Sequence, residues 1–160
     1  MPSNLIKLII YLVSSLLLFG ITPAAWAGAA EEVAAIGQQS AAAFEKGDID
    51  TYIAAFADNA VFTPSLQAFR VEGKAALKGY FSALFETYPM RHIAARQVST
   101  RVYANDTIVV QNAYFVLTLT DKNGNVSVHN LRGSATWLKM DNQWRIVDQH
   151  ISEVNGADRS

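Results

Sequence analysis

Residues 137–152 read WLKMDNQWRIVDQHIS, and the fold turns on how this stretch is read. On either side of Asp141-Asn142 lie residues of high strand preference, Trp137 and Leu138 before it and Trp144, Ile146 and Val147 after it. Asp and Asn both tolerate positive φ, so the pair closes a tight hairpin between two strands. Strict alternation along the second strand sets Trp144, Ile146, Asp148, His150 and Ser152 on one face, and Arg145, Val147, Gln149 and Ile151 on the other. Upstream the same period of two runs through Val126–Met140, Thr107–Thr120 and Arg91–Tyr103, separated by Asp121-Lys122-Asn123-Gly124-Asn125 and by Ala104-Asn105-Asp106. The second half of the chain therefore reads as an antiparallel meander of four long strands.

Ahead of Pro89 the period lengthens toward 3.6. Val33, Ile36, Ser40 and Phe44 recur at helical spacing behind Glu31 and Glu32, which favour the positive end of a helix dipole, and Lys46-Gly47 closes that helix. Asp48 is the expected N-cap of a short second helix whose buried stripe is Ile49, Tyr52, Ile53 and Phe56. A short strand is expected over Ala60–Thr63. After Val71-Glu72-Gly73 a third helix presents Leu77, Tyr80, Phe81, Leu84, Phe85 and Tyr88 on one face until Pro89 ends it. Helices gathered on one side of an antiparallel sheet make an α+β fold.

Residues 1–27 are of another kind. The only charged side chain among them is Lys7, and Leu8–Ile21 is an apolar run of 14 residues, short of the ~20 that a membrane span needs. Pro23 then breaks the run, and Ala25-Trp26-Ala27 places small residues where a signal peptidase reads them. A signal peptide cleaved after Ala27 is expected, leaving residues 28–160 as one domain in the periplasm or outside the cell, with no membrane partner once cleavage is done. Those residues hold 12 of the 13 basic and all 14 acidic side chains, a balance that excludes the basic excess of a nucleic-acid binder. With no cysteine in the chain, disulfides, zinc thiolates and thiol nucleophiles are excluded.

Three segments carry a resemblance: Asn59–Gly73 with Phe62-Thr63-Pro64 and Val71-Glu72-Gly73; Gly79-Tyr80-Phe81; and Trp137–Ser152 itself. Together with the order of elements they resemble the cone-shaped nuclear-transport-factor-like fold, which includes the SnoaL-like proteins. Within it they are most similar to the association domain of calcium/calmodulin-dependent protein kinase II and its secreted bacterial relatives. The resemblance implies three N-terminal helices packed on a curved antiparallel sheet, enclosing a pocket. No kinase domain is implied, because the Gly-rich loop, the strand lysine and the His-Arg-Asp loop are missing from the sequence. It also exposes a departure: where the kinase domain projects arginines into its cone, this chain carries Tyr114, Ala135 and Ile151, and where that domain has His and Trp it carries Leu77 and Phe85. A carboxylate ligand is accordingly not expected.

Two classes of function remain. One is a small-molecule binder with a mainly apolar cavity, or an enzyme of the isomerase, cyclase or dehydratase type known among SnoaL-like relatives. The other is a homo-oligomeric assembly module without catalysis. The expected cavity residues are Tyr52, Phe56, Phe62, Phe81, Phe85, Tyr114, Trp137 and Gln149; each taken singly reads equally as core. Arg132, in the middle of a strand, reads as a solvated or interface charge, or as an anion holder at the cavity mouth. Asp148 and His150 point the same way, so the acid can orient the imidazole for proton abstraction. The alternative is a structural pair at an oligomer contact, which the implied inward face of Ile151 favours and a β-bulge would reverse. No metal is expected, since His92, His129 and His150 have no ligand spacing and no His-Glu-x-x-His element occurs. No cofactor is expected either: there is no Gly-x-Ser-x-Gly elbow and no phosphate loop. The partners that remain are a small apolar molecule and a second copy of the chain, because Val109-Val110 and Val116-Leu117 put apolar residues on both faces of the sheet.

Overall fold

The computed structural model describes residues 28–154; the signal-peptide reading falls on residues 1–27 and lies outside the described residues. The elements are α1 (Ala29–Lys46), α2 (Ile49–Ala54), β1 (Phe56–Thr63), β2 (Val71–Glu72), α3 (Lys74–Thr87), β3 (Met90–Tyr103), β4 (Ile108–Thr120), β5 (Val126–Met140) and β6 (Gln143–Glu153). The local punctuation acts as read. Gly47 ends α1 in the left-handed region at φ 78°, and the Asp48 carboxylate accepts the Thr51 N–H at 3.1 Å at the start of α2. Asp141 and Asn142 turn the β5–β6 hairpin at φ 50° and 61°.

The six strands form one sheet in the order β2-β1-β6-β5-β4-β3. β3 to β6 are the antiparallel meander, but β1 lies parallel to β6, which makes the sheet mixed where an antiparallel one was expected. β1 follows α2 and lies beside β6, the last strand of the meander. β1 is also longer than its expected Ala60–Thr63 core, beginning at Phe56. Phe56, expected on the second helix, is thus a strand residue and has no exposed surface.

Two bulges bend the sheet. Ala95 pairs with Phe115 and Gln97 with Tyr114, leaving Arg96 as the extra residue on β3. On β6, Ile146 pairs with Trp137 and Asp148 with Thr136, leaving Val147 unpaired. The second bulge breaks the strict alternation expected of this strand: Trp144 and Ile146 are buried before it, while Gln149 and Ile151 take the inner face after it.

One end of the space between helices and sheet is closed by Arg91. Its side chain is buried, donating through Nε to the Phe44 carbonyl at 2.9 Å and through its terminal nitrogens to the carbonyls of Glu45, Phe85 and Tyr88. These acceptors belong to the last turns of α1 and α3, where helices leave carbonyls unsatisfied and a cation is favoured. The guanidinium also lies 4.3 Å from the Phe85 ring centre. At the other end of α1, Glu32 accepts from Lys139 Nζ at 2.9 Å and Trp144 Nε1 at 2.7 Å, tying the helix to β5 and β6.

Candidate functional site

Between those two ties the helices and the inner face of the sheet leave a cavity of about 220 Å³. Its floor is a set of missing side chains. Gln111 of β4, Ala135 of β5, Gln149 of β6 and Phe62 of β1 are direct cross-strand neighbours in one row, and Ala113, Gly133 and Ile151 form the row beside it. At its centre Ala113, Gly133 and Ala135 contribute almost no volume. A methyl group at Gly133 would stand 3.0 Å from the His150 carbonyl and 3.2 Å from the Phe115 ring, so the floor tolerates nothing larger there.

Aromatic rings make the walls. Tyr52 meets Phe81 with ring centres 4.7 Å apart, Phe62 meets Phe81 at 5.2 Å, and Phe62 meets Tyr80 at 5.6 Å. The Tyr52–Phe81 and Phe62–Tyr80 pairs pack edge-to-face and the Phe62–Phe81 pair is tilted, and together these rings shape the cavity. Among the described residues no Asp, Glu, His, Lys or Arg lines the cavity. Burial pushes the Tyr52 phenol far above its ordinary range, the nearby Tyr80 phenol adding to the effect, and burial raises Tyr80 as well. Both phenols are therefore neutral donors at physiological pH and not bases.

The remaining polarity comes from Ser40, Ser65 and Ser134 and from two amides. Gln111 is occupied, its Oε1 accepting from Trp137 Nε1 at 3.0 Å and its Nε2 lying 3.5 Å from Thr100 Oγ1. Gln149 differs, because its Oε1 is buried and meets no donor among the described residues.

Of the residues singled out from the sequence, Tyr52, Phe56, Phe62, Phe81, Trp137 and Gln149 come together around this cavity. Phe85 does not: it packs edge-on to Phe44, ring centres 5.3 Å apart, under the Arg91 guanidinium. Tyr114 was expected inside the cone and stands on the opposite, outer face, half exposed, directly across from Arg132. Odd-numbered residues of β4 face inward here, so the position inside is Phe115. Arg132 donates to Ser152 Oγ at 3.2 Å and shares a shallow outer hollow with Tyr114, Ser134 and His150. Asp148 and His150 are both exposed on that outer face, with no hydrogen bond between them among the described residues, so neither faces the cavity.

The three histidines are dispersed. His92 pairs with Glu45 at 2.7 Å and His129 with Glu153 at 2.8 Å, and no group of metal-binding side chains exists among the described residues. His129 also lies 3.1 Å from Ser127 Oγ, a nucleophile-base-acid order, but none of these three residues lines the cavity.

Sequence reasoning missed Phe44, Tyr80, Gln111, Ala113 and Gly133 as cavity residues. The small ones carry no chemical signal of their own. Their role is the space they leave, visible only when neighbouring strands are aligned.

A curved sheet wrapped around three helices, with a hollow between the layers, places the protein in the nuclear transport factor 2-like class of α+β folds. Within that class the chain belongs to the calcium/calmodulin dependent protein kinase II association domain family, which it matches over residues 29–155. Solved structures agree on the fold. A proposed calcium/calmodulin dependent protein kinase II association domain from Xanthomonas campestris is 24% identical at a TM-score of 0.72, covering 79% of this chain and 89% of that one. A nuclear transport factor 2-like superfamily protein from Salmonella enterica serovar Typhimurium is 17% identical at 0.72, covering 82% and 96%. A proposed dehydratase of the same class from Streptomyces avermitilis is 12% identical at 0.70, covering 79% and 97%. No curated protein matches the chain.

Proposed function

We propose that the domain binds an uncharged, mainly apolar small molecule between its helices and its sheet, without catalysing a reaction on it. The observation that carries this reading is the cavity itself: a floor of Ala113, Gly133 and Ala135, aromatic walls, and no charged side chain among its described lining residues. An apolar cavity of about 150 Å³ holds a benzene ring, so about 220 Å³ suits one or two rings. Acid–base chemistry of the isomerase, cyclase or dehydratase type needs a group that exchanges a proton near neutral pH. The acid and imidazole singled out from the sequence, Asp148 and His150, stand on the far side of the sheet.

Two further parts of the reading concern setting. The exposed apolar side chains of the outer face, among them Tyr103, Tyr114, Val126 and Val128, support self-association through that face, as the assembly-module alternative also requires. The apolar run ending at Ala25-Trp26-Ala27 supports export to the periplasm or beyond.

Thermal shift against a panel of neutral one- and two-ring compounds tests binding, with Ala135→Arg as the control. The wild-type domain is expected to gain several degrees with the best compounds and the variant none, because the arginine refills the floor with bulk and charge. Equal behaviour of the two proteins across the panel would leave the assembly module as the better reading.

A further inference from the structure

Resting on that binding reading, we infer that the molecule in the cavity is a flat ring system that donates a hydrogen bond, from a hydroxyl or ring N–H, to Oε1 of Gln149. The row across the sheet decides the polarity. Gln111 and Gln149 flank Ala135 from either side, each one strand away, so two amides border the same small-residue floor. Their situations are opposite. Trp137 Nε1 donates to the acceptor of Gln111, whereas the acceptor of Gln149 is buried and meets no donor among the described residues.

A buried carbonyl without a donor is costly to keep, commonly by about 1–3 kcal/mol, and an apolar residue at this position would remove that cost. A ligand donor satisfies it and turns the cost into selectivity. Sites built around an unpaired polar group reject analogues that cannot pair with it more strongly than sites that read shape alone.

The remaining surroundings define the rest of the molecule. Ala113, Gly133 and Ala135 form a low floor and Phe62, Phe81 and Tyr52 the walls, which suits the face and edges of an aromatic ring. Phe62 is the direct neighbour of Gln149 on β1, and the Tyr80 ring packs on Phe62, so aromatic surface adjoins the Gln149 strand position. A carboxylate finds no cation among the described lining residues and brings a second acceptor to an acceptor, so it is excluded.

Calorimetric titration of the mature domain with 2-naphthol, naphthalene and 2-naphthoate tests this. The expected order is 2-naphthol tighter than naphthalene by about tenfold, the worth of one hydrogen bond, with no binding of 2-naphthoate. Gln149→Leu is expected to remove the preference by weakening 2-naphthol about tenfold while leaving naphthalene within about twofold; Gln149→Met serves should the leucine variant not fold. Equal affinity for 2-naphthol and naphthalene in the wild-type protein, an unchanged preference in the variant, or binding of 2-naphthoate overturns the donor assignment. In the first two cases the binding reading stands, because naphthalene still occupies the cavity. Failure of all three compounds to bind removes the binding reading and this proposal together.

Discussion

The two ends of the space between helices and sheet are built on opposite rules. At the Arg91 end one guanidinium meets the carbonyls of Phe44, Glu45, Phe85 and Tyr88 at the ends of α1 and α3, with the Phe44 and Phe85 rings beside it. At the cavity end the sheet withholds volume at Ala113, Gly133 and Ala135, and the Gln149 carbonyl meets no donor among the described residues. The first end is tightly filled and polar-satisfied, so it stabilises. The second is neither, and it is the end on which the binding proposal rests. Burial lowers the pKa of Arg91 from its usual value, yet an arginine stays charged across the accessible pH range, which makes the tie insensitive to pH.

That contrast is open to direct attack. The largest effect is expected from Arg91→Ala, which leaves several helix-end carbonyls without their donor and should cost about 3–4 kcal/mol of folding stability, read as a shift in the urea midpoint. A loss under about 1 kcal/mol would show that water replaces the guanidinium and that the closed end is not what holds the layers together. Next comes Gly133→Ala, where the new methyl meets a backbone carbonyl at 3.0 Å and the floor must move. About 1–2 kcal/mol of destabilisation is expected there, with loss of ligand-induced stabilisation.

Gln149→Leu should act in the other direction, raising stability of the empty protein by up to about 1 kcal/mol as the unpaired acceptor disappears. A clear destabilisation would mean that Gln149 has a structural partner and that the cavity end resembles the Arg91 end after all. The smallest effect concerns Glu32, whose hydrogen bonds from Lys139 and Trp144 hold its carboxyl below the usual glutamate range. A depressed acid contributes stability that is present above its unfolded pKa and is lost as pH falls through its folded one. Thermal melts between pH 6 and about pH 3 should therefore show a shallower acid limb in Glu32→Gln than in the wild type.

Much of this architecture is legible from local chemistry. Gly47 and Asp48 mark the α1–α2 junction, Pro89 marks the end of α3, and Asp141-Asn142 and the Asp121–Asn125 loop mark the hairpins, because each constrains or caps backbone dihedrals at its own position. The family segments are legible for the same reason. Within Trp137–Ser152, the first tryptophan bonds Gln111 beneath the cavity and the second bonds Glu32 of α1.

The aromatic wall was legible only in part. Tyr52, Phe62 and Phe81 were readable as inward because helix periodicity or a short strand placed them there. Tyr114 and Phe85 were not, because the same apolar character suits the outer face and the closed end equally well.

By itself, then, the sequence determined the three helices, the turns and the antiparallel order of β3 to β6, since each depends on interactions within a few residues or across a tight hairpin. Tertiary structure alone decided the parallel pairing of β1 with β6, the reversal of faces at Val147, and the outward turn of Tyr114. Alternation along a strand says which residues share a face, never which face is inside, and one bulged residue exchanges the two. The cavity belongs to the same level: it is made where Ala113 of β4 comes beside Gly133 and Ala135 of β5 and leaves a space that none of them specifies alone.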